Sequence, residues 1–202
     1  LETIDAFDAS AQTLLDSDSY PLGFSMPVSD DSSQTLLESN YGINSDEITF
    51  IMAVGDVEAP EFLSFNYSYD DPDTDDDQFT FNIINAHSGQ DNIDVYLSLS
   101  DETFADAELI ENLALWQLSD SYYYELESYK FYITSAGSQT VLFESDDIDF
   151  LYTTQQMVIL RDAPEPTLSP FTLDVVSSTG SVKNYQHLEG VSDVRFYNAI
   201  SS

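Results

Sequence analysis

The chain contains no cysteine and very few basic residues. Only 4 of its 202 residues are Lys or Arg and 2 are His, whereas 38 are Asp or Glu. Without cysteine, disulfide bonds and thiol chemistry are excluded. So few cations cannot neutralise a phosphate backbone or an anionic lipid surface. We therefore expect neither nucleic acid nor a membrane surface as a partner.

Long apolar runs are missing as well. No stretch approaches the roughly 18 consecutive apolar residues that a membrane span requires, so we expect no membrane insertion. No signal peptide is recognisable, and we expect any export signal to have been removed or to lie outside this sequence.

What the chain does contain is acidic and aromatic. Its formal net charge is −34, yet 42% of its residues are hydrophobic, and it has 13 Tyr and 13 Phe. This apolar content is sufficient for a folded core. Self-repulsion of this size is tolerable where salt shortens the Debye length to about 8 Å or less. The composition favours an extracellular or cell-envelope location in a salty setting, with the cytoplasm of a halophile as the alternative.

Two short segments occur twice. Residues 33–39 (SQTLLES) return as residues 138–145 (SQTVLFES), and residues 81–86 (FNIINA) return as residues 194–199 (VRFYNA). Self-similarity at a spacing on the order of 100 residues predicts a small domain that is used twice.

The repeat also predicts domain boundaries. We place the first domain at residues 1–77 and the second at residues 78–190. The first domain then lacks its opening strand, and a bare sheet edge is seldom tolerated. We expect residues 191–202 to supply that strand, either within the chain or by strand exchange with a neighbouring chain.

Short runs rich in β-branched and aromatic residues alternate with clusters of Asp, Ser, Gly and Pro. This spacing predicts an all-β chain and, with the repeat, two tandem Ig-like antiparallel β-sandwich domains. Residues 101–109 are the one helical candidate, in which Phe104 and Leu109 would pack. The predicted strands are 48–54, 62–67, 79–85, 93–97, 129–134, 140–143, 156–161, 171–176 and 194–198.

The second domain carries a recurring polar signature. Asn85-Ala86 ends one predicted strand, the next reads Ile93-Asp94-Val95-Tyr96, and Asn112-Leu113-Ala114 and Tyr-rich strands follow. This pattern resembles an uncharacterised "domain of unknown function" repeat family of secreted bacterial envelope proteins. The chain departs from that family in having Ser88-Gly89-Gln90 where prolines usually follow Asn-Ala. The resemblance covers most of residues 79–176 and implies an Ig-like β-sandwich with no known activity.

An acidic run joins the two predicted domains. Residues 70–77 read DDPDTDDD, and the alternating members are Asp71, Asp73, Asp75 and Asp77. Carboxylates at alternating positions are typical of Ca²⁺ loops, but the Gly and the bidentate Glu of an EF-hand are missing. The run is either a solvated linker or a Ca²⁺ site, and we expect no other cofactor.

One Trp and a Tyr run are the candidate ligand-binding residues, namely Trp116, Tyr122, Tyr123 and Tyr124. Exposed aromatic faces can bind sugar rings or peptides. On a strand, Tyr122 and Tyr124 share one face and Tyr123 takes the other, so one set should be core. We expect Trp116 to pack between the sheets.

Little else indicates chemistry. His87 and His187 accompany neither a nucleophile elbow nor a zinc-binding motif, and we interpret both as loop residues. Paired carboxylates could hydrolyse glycosides, but among 38 acids adjacency carries little information.

The sequence favours a non-enzymatic extracellular or cell-envelope structural or adhesive β-sandwich repeat protein. Its partner would be a cell-surface protein or a polysaccharide. The alternative is a carbohydrate- or peptide-binding module that uses the exposed Tyr and Trp residues, and the third hypothesis is an acid-based hydrolase.

Salt should stabilise this protein. Because the net charge is −34, the thermal unfolding midpoint should rise between low salt and about 0.5 M NaCl as screening relieves repulsion. Calorimetry at several NaCl concentrations measures the effect, and a flat response would contradict it.

Calcium distinguishes the two interpretations of the acidic run. If residues 70–77 bind Ca²⁺, micromolar Ca²⁺ should raise the unfolding midpoint more than Mg²⁺ does, since the larger ion accepts more flexible oxygen ligands. Replacing Asp73 and Asp75 by Asn should abolish the difference. Equal effects of both ions in the unaltered protein would leave a plain linker.

Overall fold

The structure, a computed structural model, describes residues 4–29, 32–56, 59–69, 77–163 and 168–190. It is all-β, with 63% of the described residues in strands, and these residues contain no α-helix but a single 3-10 turn at Leu188–Gly190. Within these ranges no helix is long and apolar enough to span a membrane. The all-β prediction is confirmed.

The described residues form strands close to most of those predicted. They are β1 (Asp18–Ser29), β2 (Ser32–Ile43), β3 (Glu47–Asp56), β4 (Ala59–Ser68), β5 (Gln78–Ala86), β6 (Asn92–Leu99), β7 (Glu108–Ala114), β8 (Tyr122–Glu125), β9 (Ser128–Ser135), β10 (Val141–Glu144), β11 (Ile148–Asp149), β12 (Gln155–Asp162), β13 (Phe171–Ser177) and β14 (Val182–Tyr185). The strand predicted at 194–198 lies outside the described residues.

The described chain divides into two compact units. Residues 12–69 form one, here called the ribbon unit, and residues 77–190 together with residues 4–11 form the other, the sandwich unit. Residues 4–11, which the repeat assigned to the first domain, therefore group with the sandwich unit. The strand expected from residues 191–202 lies outside the description and stays a prediction.

The ribbon unit consists of two antiparallel hairpins. Strand β1 pairs with β2 and β3 pairs with β4, and the rings of Phe24 and Phe62 lie 4.5 Å apart between them. Residues 33–39 lie inside the 12-residue β2, whereas residues 138–145 span a turn and the four-residue β10. The two copies of this repeat therefore differ in structure, and two tandem Ig-like domains are not confirmed.

The sandwich unit contains two sheets that share one core. One sheet has the order β14-β13-β12-β5-β8, and the other has the order β10-β9-β6-β7 with β11 beside β9. Strands β5 and β12 are parallel, so the expectation of purely antiparallel sheets is wrong for this pair. A parallel pair needs a long crossover, and here the intervening chain forms the whole of the other sheet and the edge strand β8.

Aromatic rings fill the space between the sheets. The Phe79 ring stacks on Phe150 with centroids 4.0 Å apart and planes 6° from parallel, and Phe81 meets Phe131 edge-on at 5.6 Å. Such pairs add about 0.5–1.5 kcal/mol each beyond the burial of apolar area. The core is therefore specified by ring geometry as well as by hydrophobicity.

Strand β5 is buried on both of its faces. Phe79, Phe81 and Ile83 point into the shared core, as the alternation predicted. The opposite face is at most 1% exposed at Thr80 and Asn82. The Asn82 amide there donates to the Ser119 carbonyl at 3.3 Å and to the Ser121 hydroxyl at 3.1 Å, as buried polar atoms require.

Residues 101–109 are not helical, and that prediction is wrong. They form turns up to the start of β7, because the Asp106 carboxylate accepts hydrogen bonds from the Thr103 N–H and hydroxyl, which favours a turn over a helix. Phe104 packs as expected, with its ring 5.1 Å from that of Tyr96. Leu109 does not pack and is 51% exposed.

The N-terminal segment lies against the β13–β14 turn. A Cβ added at Gly180 would stand 2.7 Å from the backbone of Ser10 and Ala11, and Gly180 has φ +80°. Gly137 has a similar φ of +72° but nothing within 4 Å of the same position. Only Gly180 is therefore required by a close approach of two backbones.

Replacing each of these glycines by Ala should separate strain from contact. Gly137→Ala should cost about 1 kcal/mol through its positive φ alone, and Gly180→Ala should cost clearly more because residues 9–11 must move. Deleting residues 1–11 should bring the cost of Gly180→Ala down to that of Gly137→Ala. Urea unfolding measures all three, and equal costs in the intact chain would contradict the contact.

Candidate functional site

The Tyr run does not present three aromatic faces to solvent. Tyr122 and Tyr124 pack against the core, with their rings 5.6 and 5.8 Å from Phe81. Tyr123 takes the opposite face and is 53% exposed. Of the predicted Tyr residues, only Tyr123 is left on the surface.

Burial sets the chemistry of the inward Tyr residues. The Tyr122 hydroxyl donates to the Ile110 carbonyl and the Glu111 carboxylate, both at 2.7 Å. Burial and the neighbouring Glu111 raise the pKa of Tyr122. Burial also raises the pKa of Tyr129 to about 12, with smaller contributions from Glu125 and Glu127.

Trp116 lies elsewhere and in an unusual turn. Residues 114–117 form a tight turn in which the Gln117 N–H donates to the Ala114 carbonyl at 3.1 Å. Trp116 is the third residue of this turn and has φ +61°. That position in a type II turn favours Gly or Asn, and a bulky L-residue there costs about 1–2 kcal/mol.

The surroundings enforce this conformation. The Trp116 N–H donates to the Asn85 carbonyl at 2.7 Å, and the Leu115 N–H donates to the Asp91 carbonyl at 2.8 Å. The Gln117 side chain accepts from the Ala114 N–H at 3.0 Å. The backbone on both sides of the Trp is thus fixed by neighbouring loops.

The indole lies outside the shared core. Trp116 is half-buried and does not belong to the shared core, so the expectation that it packs between the sheets is wrong. Among the described residues its ring makes no aromatic contact and its indole N–H no hydrogen bond. The Trp therefore occupies a strained backbone position outside the shared aromatic core.

The loops around Trp116 are joined to one another. The turn after β9 is tied to β6, because the Gly137 N–H donates to the buried Asp94 carboxylate at 2.7 Å. Asn112 donates to the same carboxylate at 2.7 Å. The Ser135 hydroxyl donates at 3.3 Å to the side chain of Gln90, which lies in the loop after β5. We call the set of turns formed by residues 87–91, 114–117 and 136–140 the loop end.

His87 lies in the loop after β5, as predicted, but it is buried and connects that loop to its neighbours. It is 4% exposed and its Nδ1 accepts from the Gly89 N–H at 3.1 Å, which places the proton on Nε2. That nitrogen lies 3.2 Å from both the Pro170 carbonyl and the Asp162 carboxylate. The contacts hold the loop against the end of β12.

The neighbouring Ser88 does not complete a catalytic triad. Its hydroxyl donates to the Asp162 carboxylate at 2.7 Å, so Asp162 stands between Ser88 and His87. In a triad the imidazole must contact the nucleophile's hydroxyl. This cluster is built for structural hydrogen bonding.

The acidic run is mostly outside the description. Asp71, Asp73 and Asp75 lie among residues that the structure does not describe, whereas Asp77 precedes β5 with φ +47°. Its carbonyl accepts a hydrogen bond from Leu126 at 3.1 Å. In the described ranges no group of three or more His, Asp or Glu side chains could hold a metal ion. A Ca²⁺ site at residues 70–77 stays a prediction.

One ion pair in the sandwich unit is buried. The Arg161 Nε donates to Asp174 at 2.5 Å, with the two side chains 14% and 6% exposed, and Asn184 donates to the same carboxylate at 2.6 Å. The Phe7 ring lies 4.1 Å from the Arg161 guanidinium. The contact between Arg161 and Phe7 holds the N-terminal segment on the sheet.

No protein-family model matches the chain, and neither a curated protein nor a solved structure matches it. The resemblance to the envelope repeat family therefore stays a hypothesis from motif residues. Sequence patterns pointed to His87 and Asp94 without predicting their burial, and they did not single out Asp174. The buried polar partners of these residues come from distant strands and could not be predicted, although an Asp between apolar strand residues is a usable signal.

Charge removal should distinguish the buried pair from a surface one. Asp174→Asn should destabilise the protein by about 3 kcal/mol because it leaves Arg161 buried without its counter-charge. Asp147→Asn removes the 55%-exposed partner of Lys130 and should cost at most about 0.5 kcal/mol. Equal losses in urea unfolding would contradict the distinction.

Stability should fall in alkali because of the buried Tyr residues. A pKa raised above the usual 10 means that the folded state resists ionisation, so the contribution is intact below pH 10 and is lost as pH rises towards 12. Tyr129→Phe should make this loss shallower, whereas Tyr152→Phe, at a residue 76% exposed, should not. Urea midpoints between pH 9 and about 11.5 measure the slopes, and identical slopes would refute the assignment.

Proposed function

We propose that the chain is a non-enzymatic extracellular or cell-envelope module with a structural or adhesive role. The observation that carries this proposal is the loop end, whose turns are hydrogen-bonded to one another on a densely packed two-sheet scaffold. Binding surfaces are commonly made of loops that a rigid scaffold positions. The net charge of −34 suits a salty exterior.

The polar residues that could have suggested catalysis support the same proposal. Asp94, Asp174 and His87 are each buried and engaged with a structural partner. Their contacts fasten strands and turns rather than surround an open cleft.

We include in this proposal an Ig-like relationship of the sandwich unit to secreted envelope repeats. The polar signature supports it, because Asn85 and Asn112 join strands through their side chains. Asn85 donates to the Leu113 carbonyl at 3.3 Å, and Asn112 reaches Asp94. Side chains that join strands in this way are needed for the fold, which is why we give weight to the motif.

Sedimentation with bacterial cell-wall fragments tests the adhesive role. Labelled protein should co-sediment with purified sacculi in about 0.5 M NaCl, where electrostatic repulsion is screened. Val158→Asp, which places a charge in the shared core, is the matched control and should lose binding by unfolding. Failure of the native protein to bind would contradict adhesion, and release of soluble wall fragments would indicate a hydrolase.

A further inference from the structure

We propose that Trp116 is the central contact of a binding site for neutral polysaccharides built from pyranose sugars. This inference rests on the proposed adhesive function and names its ligand class. It begins from a residue whose conformation is unfavourable, whose indole is partly exposed, and whose ring has no role in the core.

The turn supplies the first argument. Hydrogen bonds to Asn85 and Asp91 fix the backbone of residues 114–117, and φ +61° at Trp116 would suit glycine better. A strained residue that neighbouring structure holds in place is a reason to look for function at its side chain. The side chain here is the chain's single Trp.

The groups beside the Trp supply the second argument. Gln117 follows it in the turn and is exposed, while Asp91 precedes β6 and is exposed as well. Gln90 is half-buried and fixed through its carbonyl oxygen, which accepts from Ser135. Amide and carboxylate side chains on residues next to Trp116 in the loop end suit the hydroxyls of a pyranose whose apolar face stacks on the indole.

Charge selects among polysaccharides. With a net charge of −34, the protein repels uronic-acid and sulfated polymers at long range. The geometry therefore points to an uncharged polymer. Tyr123 is not a candidate for the central aromatic contact with the sugar, because it lies on the edge strand β8 and outside the loop end.

The single Trp allows a direct test. Emission from Trp116 is recorded while dextran, laminarin or hydroxyethylcellulose is added in about 0.01 M NaCl, where a Debye length of about 30 Å preserves the repulsion of an acidic polymer, with alginate as the acidic comparison. At least one neutral polymer should shift the emission maximum saturably to shorter wavelength, and alginate should not. No shift with any neutral polymer, or an equal shift with alginate, would overturn the proposal.

Variants separate binding from structure. In affinity electrophoresis with the polymer that binds, Trp116→Ala and Trp116→Gly should weaken retardation at least about tenfold, as loss of a central aromatic contact does. Tyr123→Ala is the matched control and should change it less than about twofold. Trp116→Gly should melt at a higher temperature than Trp116→Ala, because both variants lose the indole and only glycine relaxes the positive φ. Retained binding in either variant would show a structural Trp instead, and a lower melting temperature for Trp116→Gly than for Trp116→Ala would contradict the strained turn.

The cell-wall assay keeps this proposal distinct from the adhesive function. Native protein that binds sacculi but none of the neutral polymers would refute the Trp116 site and leave adhesion intact. Native protein that binds a neutral polymer through Trp116 but ignores sacculi would refute adhesion and leave the site intact.

Discussion

The aromatic core around β5 is the constraint on which the sandwich unit depends. Phe79 and Phe81 join both sheets through stacked and edge-on rings, and the same strand pairs in parallel with β12 and antiparallel with β8. Because β5 is fixed on both faces and both edges, the turn that follows it has a defined position. His87, Asn85 and the Trp116 turn are all placed by that end of β5.

The charged side chains, unlike the aromatic rings of the core, lie mostly in solvent. With 38 acidic residues and 4 Lys and Arg, most carboxylates have no cation to pair with and must be solvated. Among the described residues, two buried carboxylates are exceptions with specific partners: Asp174 is held by Arg161 and Asn184, and Asp94 by a backbone N–H and Asn112. In both places the buried charge connects separate structural elements.

Local pattern predicted eight of the described strands but missed the long strands β1 and β2, and it did not predict strand partners. Alternation identified the core face of β5 because side-chain direction has a period of two, but it does not specify that β12 runs parallel beside it. Residues 101–109 were misjudged because Asp106 favours turns over a helix. The position of Trp116 could not be predicted, since its backbone conformation opposes its own preference and is imposed by hydrogen bonds from distant loops.

Native-state amide hydrogen exchange tests the central role of β5 most directly. If the shared aromatic core holds the sandwich unit together, the amides of β5 and β12 should be the slowest to exchange and should open together at the free energy of global unfolding. The edge strands β8 and β14 should exchange faster through local fraying. Exchange of β5 at the rate of those edges, or separately from β12, would contradict the account.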